Sequence, residues 1–366
     1  MMFYLHRLSE EVKGFNVFSY VTFRAVAAAL TAFVLSLAFG NYVIRKLILL
    51  KAGQPIRTAE EVHRLAELHS AKQGTPTMGG VLVIGAVVIS SILWARPDNP
   101  FVWLALFSMV YLGALGFVDD YLKVAKKKSD GISGRLKLIF QLALAVIVTI
   151  VFLTNPLIEV QARSLYLPFF KNAVVSNMGW LTLAFFALVI VGSSNAVNLT
   201  DGLDGLAIGC TITVAFAYAL LCYAAGNFRI AEYLQVPFYP FTGELTVICA
   251  SLVGAGLGFL WFNCHPAKVI MGDTGSLAIG GVIGVIAICC KQELLLAVVG
   301  GVFVLEAVSV ILQVLSFRLT GKRIFAMSPI HHHFELSGWK ENTVIVRFWI
   351  LSGIFALLGL ATLKLR

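Results

Sequence analysis

The chain has 366 residues, 59% of them hydrophobic and only 13% charged, with a mean hydropathy of +0.88 and a formal net charge of +9. Soluble domains carry about 25% charged residues, so this composition excludes a soluble globular protein and points to a bilayer as solvent. The six cysteines show no metal-ligand spacing, so they read as small apolar packing residues, and neither a disulfide framework nor a zinc site is indicated.

Residues 1–18 contain charges and no uninterrupted apolar core, so no cleavable leader is expected and the first span is retained. Ten apolar stretches follow, at 19–44, 77–95, 101–118, 138–154, 180–198, 206–225, 241–262, 275–290, 294–317 and 344–363. Each approaches the roughly 20 residues that one helical crossing needs. Their continuous apolar character predicts helices rather than the alternating strands of a barrel. The expected fold class is therefore all-α, a polytopic integral membrane protein of about ten transmembrane helices, with residues 1–366 forming one domain.

Ten crossings alternate the loops between two sides. The loops near 45–76, 119–137, 199–205, 263–274 and 318–343 hold 18 of the 28 basic residues, counting Arg347 at a span edge. By the positive-inside rule these loops are cytoplasmic, which places both termini on the periplasmic side. The opposite connections at 96–100, 226–240 and 291–293 are short or weakly charged, and only 155–179 is longer.

The polar residues gather on the basic side. Ahead of the second span, AKQGTPTMGG (71–80) offers a cation at Lys72 and a hydroxyl at Thr77, although a plain turn before a helix explains it equally well. At the end of the third, GFVDDYLKVAKKK (116–128) carries Asp119 and Asp120, adjacent and therefore aimed in different directions on a helix. One can face a metal or phosphate while the other pairs with a lysine. Lys123 and Lys127 share a face and can hold anionic groups, whereas Lys126 and Lys128 suit lipid headgroups. Carboxylates so close to hydrocarbon are costly unless they are paired or functional.

NAVNLTDGLDGLA (195–207) joins two spans almost without a loop. Asn198, Asp201 and Asp204 suit a nucleotide base or ribose, and equally suit a helix cap with an acidic first turn. In FNCHPAKVIMGDTGSLAIGG (262–281), Asp273 lies between Gly272 and Gly275, small neighbours that let a phosphate and a divalent ion approach the backbone. A simple N-cap is the alternative, and no Walker motif is present. Glu306 and Gln313 are polar on an otherwise apolar ninth span. Finally, SPIHHHFELSGW (328–339) holds His331, His332 and His333 in a row. Neighbours on a helix point about 100° apart, so the three do not converge on one ion. Hard oxygen ligands without cysteine pairs favour Mg²⁺, and the set as a whole suits phosphoryl transfer at a membrane surface.

These motifs, with the histidine run, resemble the phospho-N-acetylmuramoyl-pentapeptide transferases, a branch of the polyprenyl-phosphate N-acetylhexosamine-1-phosphate transferases. The likeness runs from GFNVFSY at 14–20 to VRFWI at 346–350, and SPIHHHFELSGW is its most branch-specific part. The resemblance implies ten helices in the bacterial inner membrane and a Mg²⁺-dependent site facing the cytoplasm. It also implies a reaction: UDP-N-acetylmuramoyl-pentapeptide and undecaprenyl phosphate give lipid I and UMP, the first membrane step of peptidoglycan synthesis. Nucleic acid is not an expected partner, and a homodimer is compatible with the family. By motif, Asp273 corresponds to the metal ligand, and Asp119, with Asp120 beside it, to the base or positioning residue for the lipid phosphate. Asn198, Asp201, Asp204 and Asn263 match positions around the nucleotide and metal. Lys72, Thr77, Lys123, Lys127, Gln313, His331 and His332 match other polar cleft positions, the two histidines as donors to substrate. Ile270 departs from the pattern, standing where relatives often carry an aromatic residue near the uracil. Two other readings compete: a transferase using UDP-N-acetylglucosamine, and a secondary transporter, which would show repeats and mid-bilayer ion sites.

Overall fold

The structure is a computed structural model and describes residues 1–50, 74–126, 131–156 and 158–364. Ten principal helices follow the apolar stretches: α1 Val21–Leu49, α2 Gly80–Trp94, α3 Pro100–Lys126, α4 Gly134–Thr154, α5 Leu181–Thr200, α6 Leu206–Gly226, α7 Leu245–Asn263, α8 Gly272–Cys289, α9 Gly301–Thr320 and α10 Glu341–Ala361. Short helical segments at Met2–Glu10, Lys13–Ser19, Phe228–Leu234, Glu293–Val299 and Ile330–Leu336 lie between or ahead of them. Among the described residues there is no named strand; an isolated antiparallel bridge pairs Leu165 with Val175.

Two expected spans differ in form. Among the described residues nine helices are long and apolar enough to cross a membrane, while α2 has 15 residues. At 1.5 Å per residue α2 spans roughly 22 Å, short of the ~30 Å hydrocarbon core. The stretch before it is extended and satisfies its backbone against another loop: Ile270 N donates to Pro76 O, Gly79 N to Ile270 O and Gly80 N to Met271 O, at 2.8–2.9 Å. Non-helical backbone is tolerated at such depth because protein supplies its partners. The ninth span breaks at Gly300, where Glu293–Val299 ends and α9 begins. Gly301 lies against the ring of Phe355, so no Cβ fits there without a shift.

α8 is the central element, with every residue from Thr274 to Cys289 buried. Between apolar helices the gain comes from close packing rather than from a difference in polarity with lipid, so small residues mark the tight contacts. A Cβ on Gly116 of α3 would meet the Asp273 carbonyl, and one on Gly80 of α2 would meet the backbone at Gly275. Both contacts press neighbouring helices onto the first turn of α8. The face away from that turn is fastened by Arg24, buried on α1, whose guanidinium makes two 2.6 Å bonds to Glu244.

Candidate active site

The start of α2, the end of α3, the end of α5 and the start of α8 meet at one face of the bundle. They enclose an open pocket of about 90 Å³ lined by Thr77, Asp120, Lys123, Val124, Asn198, Asp201, Ile270, Gly272 and Asp273. What distinguishes this one is its charge.

The adjacent aspartates of α3 do different work, as their angular separation requires. Asp120 faces the start of α8: its Oδ2 accepts from Thr274 N at 2.9 Å and Thr274 Oγ1 at 2.7 Å, and its Oδ1 accepts from Asp273 N at 3.2 Å. A carboxylate on the free N–H groups of a first turn is a favourable cap. Replacing Asp120 with alanine is expected to cost about 2 kcal/mol, read as a lower melting temperature, together with lost turnover as Asp273 shifts. Gly272 makes the close approach possible, since its φ is +73° and a Cβ there would crowd the Asp120 carboxylate and Thr77 Oγ1.

Asp119 turns the other way. Its Oδ1 accepts from Ile132 N at 2.6 Å, and its Oδ2 lies 2.7 Å from Lys123 Nζ and 2.8 Å from Lys137 Nζ. The same two ammoniums reach Asp273 Oδ2, at 2.9 and 2.7 Å. Two lysines thus bridge two carboxylates. Lys137, from the first turn of α4, had no motif to announce it, although its basic character beside the membrane was a usable signal. Asn198 fixes the remaining oxygen, donating 2.8 Å bonds to Asp273 Oδ1 and Ser276 Oγ.

Carboxylate oxygens of Asp119, Asp120 and Asp273 all lie within 4.8 Å of one another, a set able to hold a metal ion. Asp201, just past the end of α5, faces the same space. Burial and the neighbouring Asp273 and Asp120 carboxylates raise its pKa well above the usual carboxylate range. The described residues thus place four carboxyl groups and two ammoniums here. An all-oxygen donor set of this kind fits a hard divalent cation.

The other expected residues are distributed around this centre. Thr77 lines the pocket. Asp204, three residues from Asp201, points elsewhere: its Oδ2 accepts from Ala267 N at 3.0 Å and lies 3.2 Å from His265 Nδ1, with Glu341 alongside. The turn between them separates two residues that a continuous helix would have stacked. Asn263 donates to Val269 O at 2.8 Å and braces the loop leading to Ile270. Gln313 holds the loop after α9, accepting from Ile324 N and Phe325 N at 3.0 Å. The three histidines diverge. His331 lies 3.1 Å from Glu306 and His332 2.8 Å from Glu335, while His333 Nδ1 accepts from Ala326 N at 3.2 Å. Lys72 and Lys127 lie outside the described residues.

A profile described as "Glycosyl transferase family 4" matches residues 102–291, and a phospho-N-acetylmuramoyl-pentapeptide-transferase signature matches residues 72–84. The chain is 55% identical over 366 residues to a protein of Methylacidiphilum infernorum (isolate V4) named phospho-N-acetylmuramoyl-pentapeptide-transferase, covering 100% of both chains. Proteins of the same name from Geobacter sp. (strain M21) and Syntrophus aciditrophicus (strain SB) are 53% and 52% identical, each with 99% of both chains covered. The pocket assembled by α2, α3, α5 and α8 thus sits within a likeness that spans the whole chain, and the chain belongs to the phospho-N-acetylmuramoyl-pentapeptide-transferase family.

Proposed function

We propose that the protein transfers phospho-N-acetylmuramoyl-pentapeptide from UDP-N-acetylmuramoyl-pentapeptide to undecaprenyl phosphate, giving lipid I and UMP. The reaction takes place in the bacterial inner membrane, at a pocket opening to the cytoplasm, with Mg²⁺ as cofactor. The observation that carries this reading is the pair of lysines, Lys123 and Lys137, each bridging Asp119 and Asp273 in one membrane-edge pocket.

The difficulty of the reaction is charge. A lipid phosphate must approach a diphosphate, and both are anionic, so catalysis depends on positioning and electrostatic stabilisation. Lys123 and Lys137 offer ammoniums to the phosphate oxygens. Asp119 holds both lysines in place. Asn198 and Asp120 fix Asp273, one by its side-chain amide and the other by capping its helix. Bound chiefly by Asp273, with Asp119 and Asp120 beside it, Mg²⁺ would supply further neutralisation of the diphosphate.

The attack is direct: an oxygen of the lipid phosphate bonds to the sugar-linked phosphorus as the bond to UMP breaks. A covalent route through Asp119 or Asp120 is disfavoured, because one is tied to two ammoniums and the other to a helix terminus. The test is a donor comparison with purified protein and undecaprenyl phosphate. UMP release is expected from UDP-N-acetylmuramoyl-pentapeptide and not from UDP-N-acetylglucosamine; the reverse preference would assign the chain to the other donor.

A further inference from the structure

Glu306 and His331 form a contact whose cost calls for a reason. Glu306 sits on α9 and His331 on the Ile330–Leu336 helix, with 0% and 1% of their surfaces exposed. Glu306 Oε1 and His331 Nδ1 are 3.1 Å apart. The approach is out of line, however, and both carboxylate oxygens and both ring nitrogens lack hydrogen-bond partners among the described residues. Buried polar groups are nearly always satisfied, and a buried pair with open valences is worse for stability than well-packed apolar residues. Packing alone gives no reason to keep these two.

Their placement gives one. The far nitrogen of His331, Nε2, presses on Gly202, where a Cβ would collide with it. No left-handed backbone is required at Gly202, so the residue is small in order to admit the ring. Gly202 directly follows Asp201, whose carboxylate lines the pocket and accepts from the Gly272 backbone. The other end of the same turn is held at Asp204 by His265 and the Ala267 amide. Fixing the turn at both ends fixes where Asp201 points. His331 does not line the pocket, and its contact with the site described here runs through that turn, at Gly202.

We propose that Glu306 and His331 are a buried positioning pair, in which the carboxylate orients the imidazole and the imidazole, against Gly202, sets the Asp201 carboxylate in the pocket. This rests on the transferase reading and assigns Glu306 a role that its isolation on an apolar helix would not suggest.

The test uses the full-length protein. Glu306→Gln keeps the shape and removes the charge. It is expected to lower kcat roughly 10- to 100-fold, the scale of a small misplacement of a reacting group, with KM for the UDP-linked substrate and the melting temperature unchanged. Gly202→Ala, which displaces the ring from the other side, is expected to lower kcat similarly. The Glu306→Gln, His331→Asn double variant should lose no more than the worse single variant, because the residues act as one unit. Multiplying losses in the double variant, or wild-type kcat in Glu306→Gln, would overturn the pairing. A raised KM with unchanged kcat would instead make His331 a direct substrate contact and also overturn it. One arm needs no turnover: in protein with ¹⁵N-labelled histidine, Glu306→Gln is expected to move the ring-nitrogen signals of His331, identified by their loss in His331→Asn. Unmoved signals would refute the pair whatever the reaction proves to be, whereas moved signals in a protein that releases no UMP would fault the transferase reading alone.

Discussion

Asp273→Asn is expected to reduce UMP release by on the order of 1,000-fold or more at every accessible Mg²⁺ concentration. Asparagine preserves the shape of the side chain and its place in the first turn of α8. It removes the charge on which the centre converges. Asp273 is bonded by Asn198 at 2.8 Å and paired with Lys123 and Lys137 at 2.9 and 2.7 Å. Without that carboxylate the two ammoniums keep only Asp119 as a shared partner, and the oxygen set for a divalent ion loses its central member. The loss should appear in kcat and should not be recovered by raising Mg²⁺. Near-normal turnover in the variant would remove Asp273 from the metal site.

Lys137→Met is expected to lower kcat by about 100-fold or more, with a smaller effect from Lys137→Arg. The lysine stem packs at the foot of α4 while its ammonium closes the bridge between Asp119 and Asp273. Methionine keeps most of the stem and deletes the charge. Among the described residues, Lys123 is then the cation left paired with both carboxylates as the phosphates approach. Steady-state kinetics should show the deficit mainly in kcat, because the charge it offsets is greatest as the phosphates approach. A variant that only melts earlier, with kcat retained, would make Lys137 a structural tie.

The sequence made the helices legible because hydrocarbon thickness leaves few alternatives to long apolar runs. It was less informative where backbone is satisfied by non-local partners. The extended stretch before α2 is held by Ile270 and Met271, nearly two hundred residues away, and local hydropathy carries no trace of that pairing. Beside the break at Gly300, Gly301 packs against the Phe355 ring, a contact more than fifty residues away that local hydropathy does not carry.

In the site, Asp119 and Asp120 announced themselves as adjacent charges at a span edge, and their division into a lysine partner and a helix cap follows from their angular separation. Lys137 did not stand out, because one lysine among several near the membrane reads as a headgroup anchor. Asp201 and Asp204 share a motif but not a destination, since the turn between them sends one to the pocket and the other to His265. The histidine run was legible as three separate groups rather than one ligand set. Its individual partners, Glu306, Glu335 and the Ala326 amide, are visible only in three dimensions.

The central claim is that one membrane-edge pocket uses two bridging lysines and a divalent cation to bring a lipid phosphate onto a nucleotide-linked sugar phosphate. The most direct measurement is UMP release by the purified protein from UDP-N-acetylmuramoyl-pentapeptide, with undecaprenyl phosphate and Mg²⁺ each withheld in turn. Release that requires both, with lipid I formed in equal amount, is the predicted result. UMP released in one equivalent without the lipid acceptor, leaving phospho-N-acetylmuramoyl-pentapeptide bound to the protein, would contradict it.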